Sequence, residues 1–164
     1  NNIGPNQYPE KVVPLFITNA LKELPLPIYG SGLNVRNYIY VTDHCNGIDV
    51  AMHKGSPGEI YNVGAGAANE RNVLEVAGTI LSLTGKPTSL IQHVSDRPGH
   101  DKRYSLDSSK LRSLGWEPQF DFDSAMEMTV KWYIENEGWW RKIREKDQAY
   151  RKFYVQNYEQ REKN

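Results

Sequence analysis

The sequence predicts a single domain of the α/β or α+β class, and two observations lead to this expectation. Short segments rich in β-branched and aromatic residues alternate with longer segments whose apolar residues recur every three or four positions. Glycine, proline and asparagine separate the two kinds of segment, as they do at turns. With 164 residues, the chain is long enough to bury a hydrophobic core of its own.

In the first third of the chain, apolar spacing from Lys11 to about Leu24 predicts a helix, with Pro14 tolerated in its first turn. The proline-rich segment 25–30 predicts a short extended piece. Residues 35–41 have the β-branched and aromatic content of a strand. Thr42 or Asp43 is then expected to cap a helix that ends near residue 54.

The same reading of the middle of the chain predicts two further strands and three further helices. Asn72 and Glu75 have the spacing of a capping box, which places a helix start at Asn72. The predicted elements are, in order, a strand over 59–63, a helix over 72–83, a strand over 90–94, a short helix over 108–114, and a helix from Ser124 to about 135. The segment Gly64-Ala65-Gly66 lacks the third glycine of a dinucleotide-binding turn, so we expect only a tight turn there.

Beyond Gly138 the composition changes. Aromatic residues recur at spacings of three, four and seven among many charged residues, which indicates an amphipathic helix. We therefore predict two parts, residues 1–138 and an aromatic helical extension over 139–164. The aromatic stripe is expected to pack on the rest of the chain or against a second subunit. Its acidic neighbours argue against binding of single-stranded nucleic acid.

The bulk composition limits the classes of partner. Lys and Arg together number 20, as do Asp and Glu, so no net charge attracts nucleic acid or a membrane surface. No apolar run approaches the roughly 20 residues that span a bilayer. Cys45 is the single cysteine, which fits a cytoplasmic protein, and we expect a half-buried structural thiol. The four histidines and Cys45 lack metal-ligand spacing, so no metal site is predicted.

The segment from Asp96 to Tyr104 predicts an anion-binding site, and the alternative for this segment is a solvated charged loop. It reads Asp-Arg-Pro-Gly-His-Asp-Lys-Arg-Tyr, so a rigid Pro-Gly turn presents a guanidinium beside an imidazole. Because arginine offers paired N–H donors that match phosphate oxygens, Arg97 and His100 suit a phosphate or diphosphate better than a packed core.

Several motifs together resemble the C-terminal half of an extended short-chain dehydrogenase/reductase that acts on nucleotide sugars. The most specific combination, Asp-Arg-Pro-Gly-His-Asp with Pro-Glu-Lys, is similar to the dTDP-glucose 4,6-dehydratase family. The stretches that carry the resemblance are 1–5 with 9–11, 25–30 with Gly32, 34–41 with 43–44, 57–64, 96–101 with 103–104, and 114–118 with 129–133. The match extends to about Trp140 and leaves residues 141–164 outside.

The resemblance implies a Rossmann-type α/β fold, of which this chain supplies the substrate-binding lobe. It implies a nucleotide-diphosphate sugar, dTDP-glucose, as substrate and NAD as cofactor, with Asn2 near the nicotinamide. The substrate-binding residues that it implies are Asn1, Lys11, Val12, Pro27, Ile28, Tyr29, Arg36, Asn72, Arg97 and His100. Within this set, Arg36 and Arg97 would clamp the diphosphate, and Tyr29 would stack on the base.

Some of these residues have a structural alternative. Residues 27–29 could form a core-edge strand, and Lys11 could face solvent. Asn72 could have no role beyond capping its helix, in which case Asn69 is the alternative substrate ligand. The sequence departs from the family in two places. Ile3 replaces a common tyrosine, and Asn37-Tyr38 replaces Asp-Trp. These changes leave the diphosphate ligands in place but weaken the assignment of the nucleotide.

The chain lacks the sequence features that carry the chemistry of such enzymes. No tyrosine is followed by lysine four residues later, so the Tyr-x-x-x-Lys pair is absent and no catalytic residue is assigned. The resemblance places that pair, the Asp-Glu pair and the Gly-rich NAD turn in an N-terminal Rossmann half upstream of Asn1. We therefore expect a truncated or excised portion of a longer, homodimeric protein, without dehydratase turnover of its own. The alternatives are a UDP- or GDP-sugar epimerase or dehydratase, and a non-catalytic interaction module.

Overall fold

The computed structural model describes residues 1–159, and this part of the chain adopts the predicted α/β fold. Short strands alternate with helices along the sequence. The α-helices are α1 (Val12–Leu21), α2 (Val41–Lys54), α3 (Val73–Thr84), α4 (Ser109–Arg112), α5 (Phe122–Glu135), α6 (Glu137–Lys146) and α7 (Gln148–Tyr154). Short 3-10 turns lie at Ala67–Asn69 and Thr88–Leu90, and a π-helical turn, Val155–Glu159, follows α7.

The strands form three small sheets. They are β1 (Asn2–Ile3), β2 (Leu26–Tyr29), β3 (Val35–Asn37), β4 (Ile39–Tyr40), β5 (Glu70–Asn72), β6 (Ile91–Val94) and β7 (Arg103–Tyr104). β1 pairs with β4 and β2 pairs with β6, both in parallel. β3 lies between β5, to which it is antiparallel, and β7, to which it is parallel.

Four helices and the adjoining strands enclose the main hydrophobic core. The periodic apolar residues of α1, α3 and α5 face one another, as their spacing predicts, and removal of this apolar surface from water stabilises the fold. The largest fully buried side chains include Trp140, Tyr133, Phe16, Phe122, Ile80 and Leu81. A second, smaller core consists of Ile39, Ala65, Leu111 and Trp116, and it packs under α2 and α4.

The predicted strand over 35–41 is interrupted. Tyr38 separates β3 from β4, and its N–H donates to the carbonyl of Asn69. The helix α2 begins directly after β4, with Tyr40 as its N-cap, so the expectation of a cap at Thr42 or Asp43 is wrong. Asp43 is buried, and its carboxylate accepts from the N–H of Phe120, so this acidic residue ties two segments together.

Three other expectations need correction. Residues 59–63 form no strand, because this segment pairs with none of the sheets in the described chain. The helix expected from Ser124 begins at Phe122, since the side chain of Asp121 accepts from the N–H of Ser124 and acts as the cap. Cys45 is exposed and not half-buried. None of the helices described here is long and apolar enough to cross a membrane.

The C-terminal helices pack on the N-terminal segment. Trp140, on α6, is fully buried in the main core, and its indole N–H donates to the carbonyl of Tyr133 at 2.8 Å. The hydroxyl of Tyr133 donates in turn to the carbonyl of Gln7. The side chain of Asp147 caps α7 by accepting from the N–H groups of Ala149 and Tyr150. A division of the chain at residue 138 stays a prediction.

A further contact between the N-terminal segment and α7 predicts a loss of stability at alkaline pH. The hydroxyl of Tyr8 donates to Asp147 at 2.6 Å, which raises the pKa of Tyr8 from 10.0 to about 12. Because the folded pKa is the higher one, the contact contributes stability fully below pH 10 and loses it between pH 10 and 12. We expect Tyr8→Phe to reduce the fall in melting temperature across that range. Tyr61→Phe is the control. It removes a hydroxyl that accepts from the N–H of Ser56 at 3.0 Å, which affects the melting temperature equally at each pH, so the fall from pH 10 to pH 12 should match that of the wild type. An unchanged fall in Tyr8→Phe would contradict the prediction.

Candidate functional site

A cavity of about 540 Å³ opens between the start of α1, strands β2 and β3, the 96–104 segment and the C-terminal helices. It brings together side chains that lie far apart in the sequence. Eight of the ten residues predicted to bind substrate line it, namely Asn1, Lys11, Val12, Pro27, Tyr29, Arg36, Arg97 and His100. The cavity is therefore the candidate site for the predicted anionic ligand.

The other two predicted residues do not line the cavity wall. Ile28 alternates with Pro27 and Tyr29 along β2, so its side chain faces the opposite side and is fully buried in the core. Asn72 caps α3, where its side chain accepts from the N–H of Glu75 at 2.9 Å. The Glu75 carboxylate accepts from the Asn72 N–H at 2.7 Å, which completes the capping box. The rival residue, Asn69, is buried and donates to the carbonyl of Phe120.

The capping geometry predicts the effect of substitution at Asn72. Asn72→Ala removes the acceptor for a first-turn N–H of α3, so the free energy of unfolding should fall by about 1 kcal/mol. Asn72→Asp retains a side-chain oxygen at the same position and should keep nearly all of the stability. Urea unfolding followed by circular dichroism measures both variants. If both variants lost the same free energy of unfolding, the hydrogen bond to the side-chain oxygen of residue 72 would not be the cause of the loss.

Cations dominate the charge of the cavity wall. Lys11, Arg36 and Arg97 line it, and the one carboxylate among the described lining residues is that of Glu10, which pairs with Lys11 at 2.7 Å. Arg36 is only 8% exposed and forms no ion pair with a carboxylate among residues 1–158. One of its terminal nitrogens donates to the carbonyl of Val35 at 2.7 Å. A buried guanidinium without a carboxylate partner is costly unless an anion completes its surroundings, so this wall suits a phosphate group.

The Pro-Gly turn holds His100 in a defined orientation. Gly99 has a φ of +68°, which glycine adopts without strain and which reverses the chain between Asp96 and His100. The Nδ1 of His100 lies 2.7 Å from Oδ1 of Asp96. A carboxylate only accepts hydrogen bonds, so Nδ1 carries the proton and Nε2 is directed away from Asp96. This hydrogen bond from His100 is also the main reason that the pKa of Asp96 is lowered.

Asp96 also fixes the turn against strand β2. Its side chain accepts from the N–H of Arg97 at 2.8 Å. A Cβ atom added to Gly30 would lie 2.9 Å from the Asp96 carboxylate, so the end of β2 approaches the turn closely. The rings of His100 and Tyr29 are nearly perpendicular and lie in a T-shaped contact, with 6.1 Å between the centroids. The turn at Pro98-Gly99 therefore connects the cationic wall of the cavity, at Arg97, with its aromatic wall, at Tyr29.

The start of α1 adds backbone donors to this wall. Lys11 is the N-cap of α1 and has no side-chain cap, and Lys11 and Val12 both line the cavity. The first N–H groups of a helix lack partners within the helix, and they favour a nearby negative charge. Tyr38 also lines the cavity, and burial raises its pKa to about 12, so its phenol remains neutral near pH 7.

The C-terminal segment forms the aromatic side of the cavity. Phe153, Asn157 and Tyr158 line it, and the ring of Tyr158 stacks on that of Tyr29 with 5.8 Å between centroids and 18° between planes. Burial raises the pKa of Tyr158, so it remains a neutral phenol. A base inserted between two parallel rings needs a separation of about 7 Å, twice the contact distance of carbon atoms. The rings must therefore separate before a base can enter between them.

Sequence reasoning missed several residues of this wall. Tyr104 belongs to the predicted anion segment, but the sequence indicates no role for it in binding. The sequence marks Tyr38 only as a departure from the family pattern. Phe153 and Tyr158 belong to the aromatic stripe, which was expected to pack on the body or on a second subunit. Helical spacing identified this stripe correctly as amphipathic, but it contains no signal that directs its end to the cavity.

A second cavity, of about 430 Å³, adjoins the first and shares Asn1, Lys11, Val12 and Tyr38 with it. Asn2, predicted to meet the cofactor, lines this second cavity together with His44, whose pKa is lowered chiefly by burial. The backbone carbonyl of Asn2 accepts from the side chain of Gln7 at 2.8 Å. The wall of this cavity combines amide, ammonium and imidazole groups with apolar side chains.

Comparison with known proteins gives one matching family. Residues 1–129 match the family described as GDP-mannose 4,6 dehydratase. A relative, the dTDP-glucose 4,6-dehydratase of Streptomyces antibioticus, is 43% identical over 147 residues, which are 89% of this chain and 43% of the relative. A trifunctional protein of Arabidopsis thaliana, whose first named activity is UDP-glucose 4,6-dehydratase, is 46% identical over 142 residues, which are 85% of this chain and 21% of that protein.

A solved structure shows the same fold. The dTDP-glucose 4,6-dehydratase of Streptomyces venezuelae, with NAD and TYD bound, is 48% identical and superposes with a TM-score of 0.81. The match covers 85% of this chain and 43% of that one. The chain thus spans less than half the length of the proteins that it matches. The prediction that it corresponds to part of a larger Rossmann-type enzyme is confirmed.

Proposed function

Because the chain belongs to the family described as GDP-mannose 4,6 dehydratase, we propose that it binds the nucleotide-sugar substrate of a 4,6-dehydratase. The proposed substrate is dTDP-glucose, which the complete enzyme would convert to a 4-keto-6-deoxy sugar. The named activity of relatives that are 43–48% identical supports this choice.

The observation that carries the proposal is the buried guanidinium of Arg36, which pairs with no carboxylate among the described side chains. It lines the same cavity as Arg97 and Lys11, so a diphosphate placed there would meet three cations. The N–H groups at the start of α1 and the imidazole of His100 supply further donors. Pro27, Tyr29 and Tyr158 provide the apolar and aromatic surface that a nucleobase requires.

We also propose that the complete protein uses NAD. The cofactor would accept a hydride from the sugar and later return it, which lets water be removed without net oxidation. Asn2 is the residue of this chain proposed to contact the nicotinamide end, because it lines the cavity that adjoins the substrate cavity. The Rossmann half that binds the rest of NAD, and a homodimeric assembly, are proposed for the complete protein. A cytoplasmic location is supported by the single, unpaired Cys45.

Titration calorimetry with the 164-residue chain tests the nucleotide. We expect dTDP to bind more tightly than UDP and GDP, and thymidine without phosphate to bind much more weakly than dTDP. Tighter binding of UDP would favour the UDP-sugar alternative, which the similarity to the Arabidopsis protein makes a specific competitor. Absence of binding by all three diphosphates would contradict the proposal and favour an interaction module.

A further inference from the structure

Arg36 and Tyr104 are cross-strand neighbours in the three-stranded sheet. The parallel register of β3 and β7 pairs Arg36 with Tyr104. On the other side of β3, the antiparallel register pairs Arg36 with Arg71, a second cation. Cross-strand partners lie side by side on one face of a sheet, and like charges at such positions destabilise it. Neither neighbour of Arg36 can therefore neutralise its charge.

Aromatic rings hold both of these guanidinium groups. The Arg36 guanidinium carbon lies 4.3 Å from the centroid of the Tyr104 ring, and that of Arg71 lies 4.6 Å from the Phe122 ring. Arg71 also donates to the carbonyls of Ala68 and Glu70 and takes no part in lining the cavity. Arg36 and Tyr104 both line it.

A hydrogen bond fixes the far end of the Tyr104 ring. Its hydroxyl donates to Oδ1 of Asn1 at 3.2 Å. The amide nitrogen of Asn1 donates to the carbonyl of Asn37 on β3 at 3.2 Å. The ring is therefore tied at one end through its own strand and at the other end through Asn1, although the residue is 48% exposed.

The choice of an aromatic partner has a chemical consequence. A carboxylate would orient the Arg36 guanidinium, but it would also neutralise the charge and occupy the N–H donors. A ring attracts the cation through its π face and leaves the donors at the edge of the guanidinium plane available. Holding a long side chain in its binding geometry before the ligand arrives lowers the entropic cost of binding.

We propose that Tyr104 is a positioning residue for diphosphate binding, which holds the Arg36 guanidinium in place at the cavity wall without neutralising it. The inference rests on the proposed function, because it assumes that a nucleoside diphosphate is the ligand. It assigns to Tyr104 an effect on the phosphate end of the ligand and none on the base.

Calorimetry with dTDP and thymidine tests the inference on the 164-residue chain. Tyr104→Leu removes the ring and should weaken dTDP binding about 5-fold, the size expected of a partly exposed cation–π contact, while thymidine binding stays unchanged. Tyr104→Phe retains the ring and should weaken dTDP binding by less than about 2-fold. In an Arg36→Gln background, Tyr104→Leu should have no further effect on dTDP binding, because the group on which it acts is absent.

Three results would overturn the inference. They are an unchanged dTDP affinity in Tyr104→Leu, an equal loss of thymidine affinity, and a full additional loss in the Arg36→Gln background. The second and third would indicate a general structural role, which circular dichroism and urea unfolding of each variant would also reveal. A wild-type chain that does not bind dTDP overturns the proposed function together with this inference, whereas tight wild-type binding with an unaffected variant overturns the inference alone.

Discussion

Replacement of Trp140 by alanine should lower the free energy of unfolding by about 3–5 kcal/mol, the cost of emptying a large buried aromatic site. Trp140 is 0% exposed, packs with the residues of α1 and α5 in the main core, and donates a hydrogen bond to the Tyr133 carbonyl. Its loss leaves a cavity and an unpaired acceptor. Domains of this size are stable by about 5–15 kcal/mol, so much of the total would be lost. Urea unfolding followed by far-UV circular dichroism measures the change.

The neighbouring Trp139 provides the matched control. It is only partly buried, and its ring lies in a T-shaped contact with that of Trp132, with 5.2 Å between the centroids. Trp139→Ala should therefore lower the free energy of unfolding clearly less than Trp140→Ala does. A loss below about 1 kcal/mol at Trp140 would mean that α6 is dispensable for the core, contrary to its packing in the structure. The comparison also tests whether residues 139–164 behave as a separate extension, since a separable segment would unfold without affecting the rest.

Replacement of Arg36 by glutamine should weaken binding of dTDP by about 10- to 100-fold, which corresponds to hydrogen bonds to a charged group worth about 1.5–3 kcal/mol. The glutamine removes the charge and the paired donors, while its side chain still fills part of the space. Thymidine, which lacks the diphosphate, should bind the variant and the wild type equally. The two ligands therefore separate loss of the phosphate contact from damage to the base pocket.

Two variants complete this experiment. Arg36→Lys retains the charge but not the planar fork, so its affinity for dTDP should lie between those of the wild type and the glutamine variant. Arg141→Gln removes an exposed cation on α6 that pairs with Glu137 and does not line the cavity, and it should bind dTDP as the wild type does. Equal losses in Arg36→Gln and Arg141→Gln would show that only the overall charge matters.

The sequence was sufficient to predict the part of the site that local motifs form. The Pro-Gly turn fixes the relative positions of Arg97 and His100 within four residues, so their convergence could be expected without a structure. The helix start at Lys11 and the capping box at Asn72 are likewise local features. Such features depend on neighbours within one turn of chain, which a sequence displays directly.

The remainder depends on contacts that no local pattern encodes. Tyr158 and Tyr29 meet across 129 positions of sequence, and helical spacing indicated an apolar face there without indicating what it covers. The break at Tyr38 had no signal of its own, because β-branched and aromatic residues continue through it. The strand expected at 59–63 failed for the opposite reason: its composition suits a strand, but no strand among residues 1–159 pairs with it.

The cavity wall takes residues from both ends of the described chain, from Asn1 to Tyr158. Contacts between such distant positions form slowly, since a long loop must close before they stabilise the fold. A ribosome-bound chain that has not yet released residue 158 would therefore possess the phosphate-facing arginines but not the aromatic side of the cavity. The aromatic side of the cavity would therefore form late in folding, when Tyr158 reaches Tyr29.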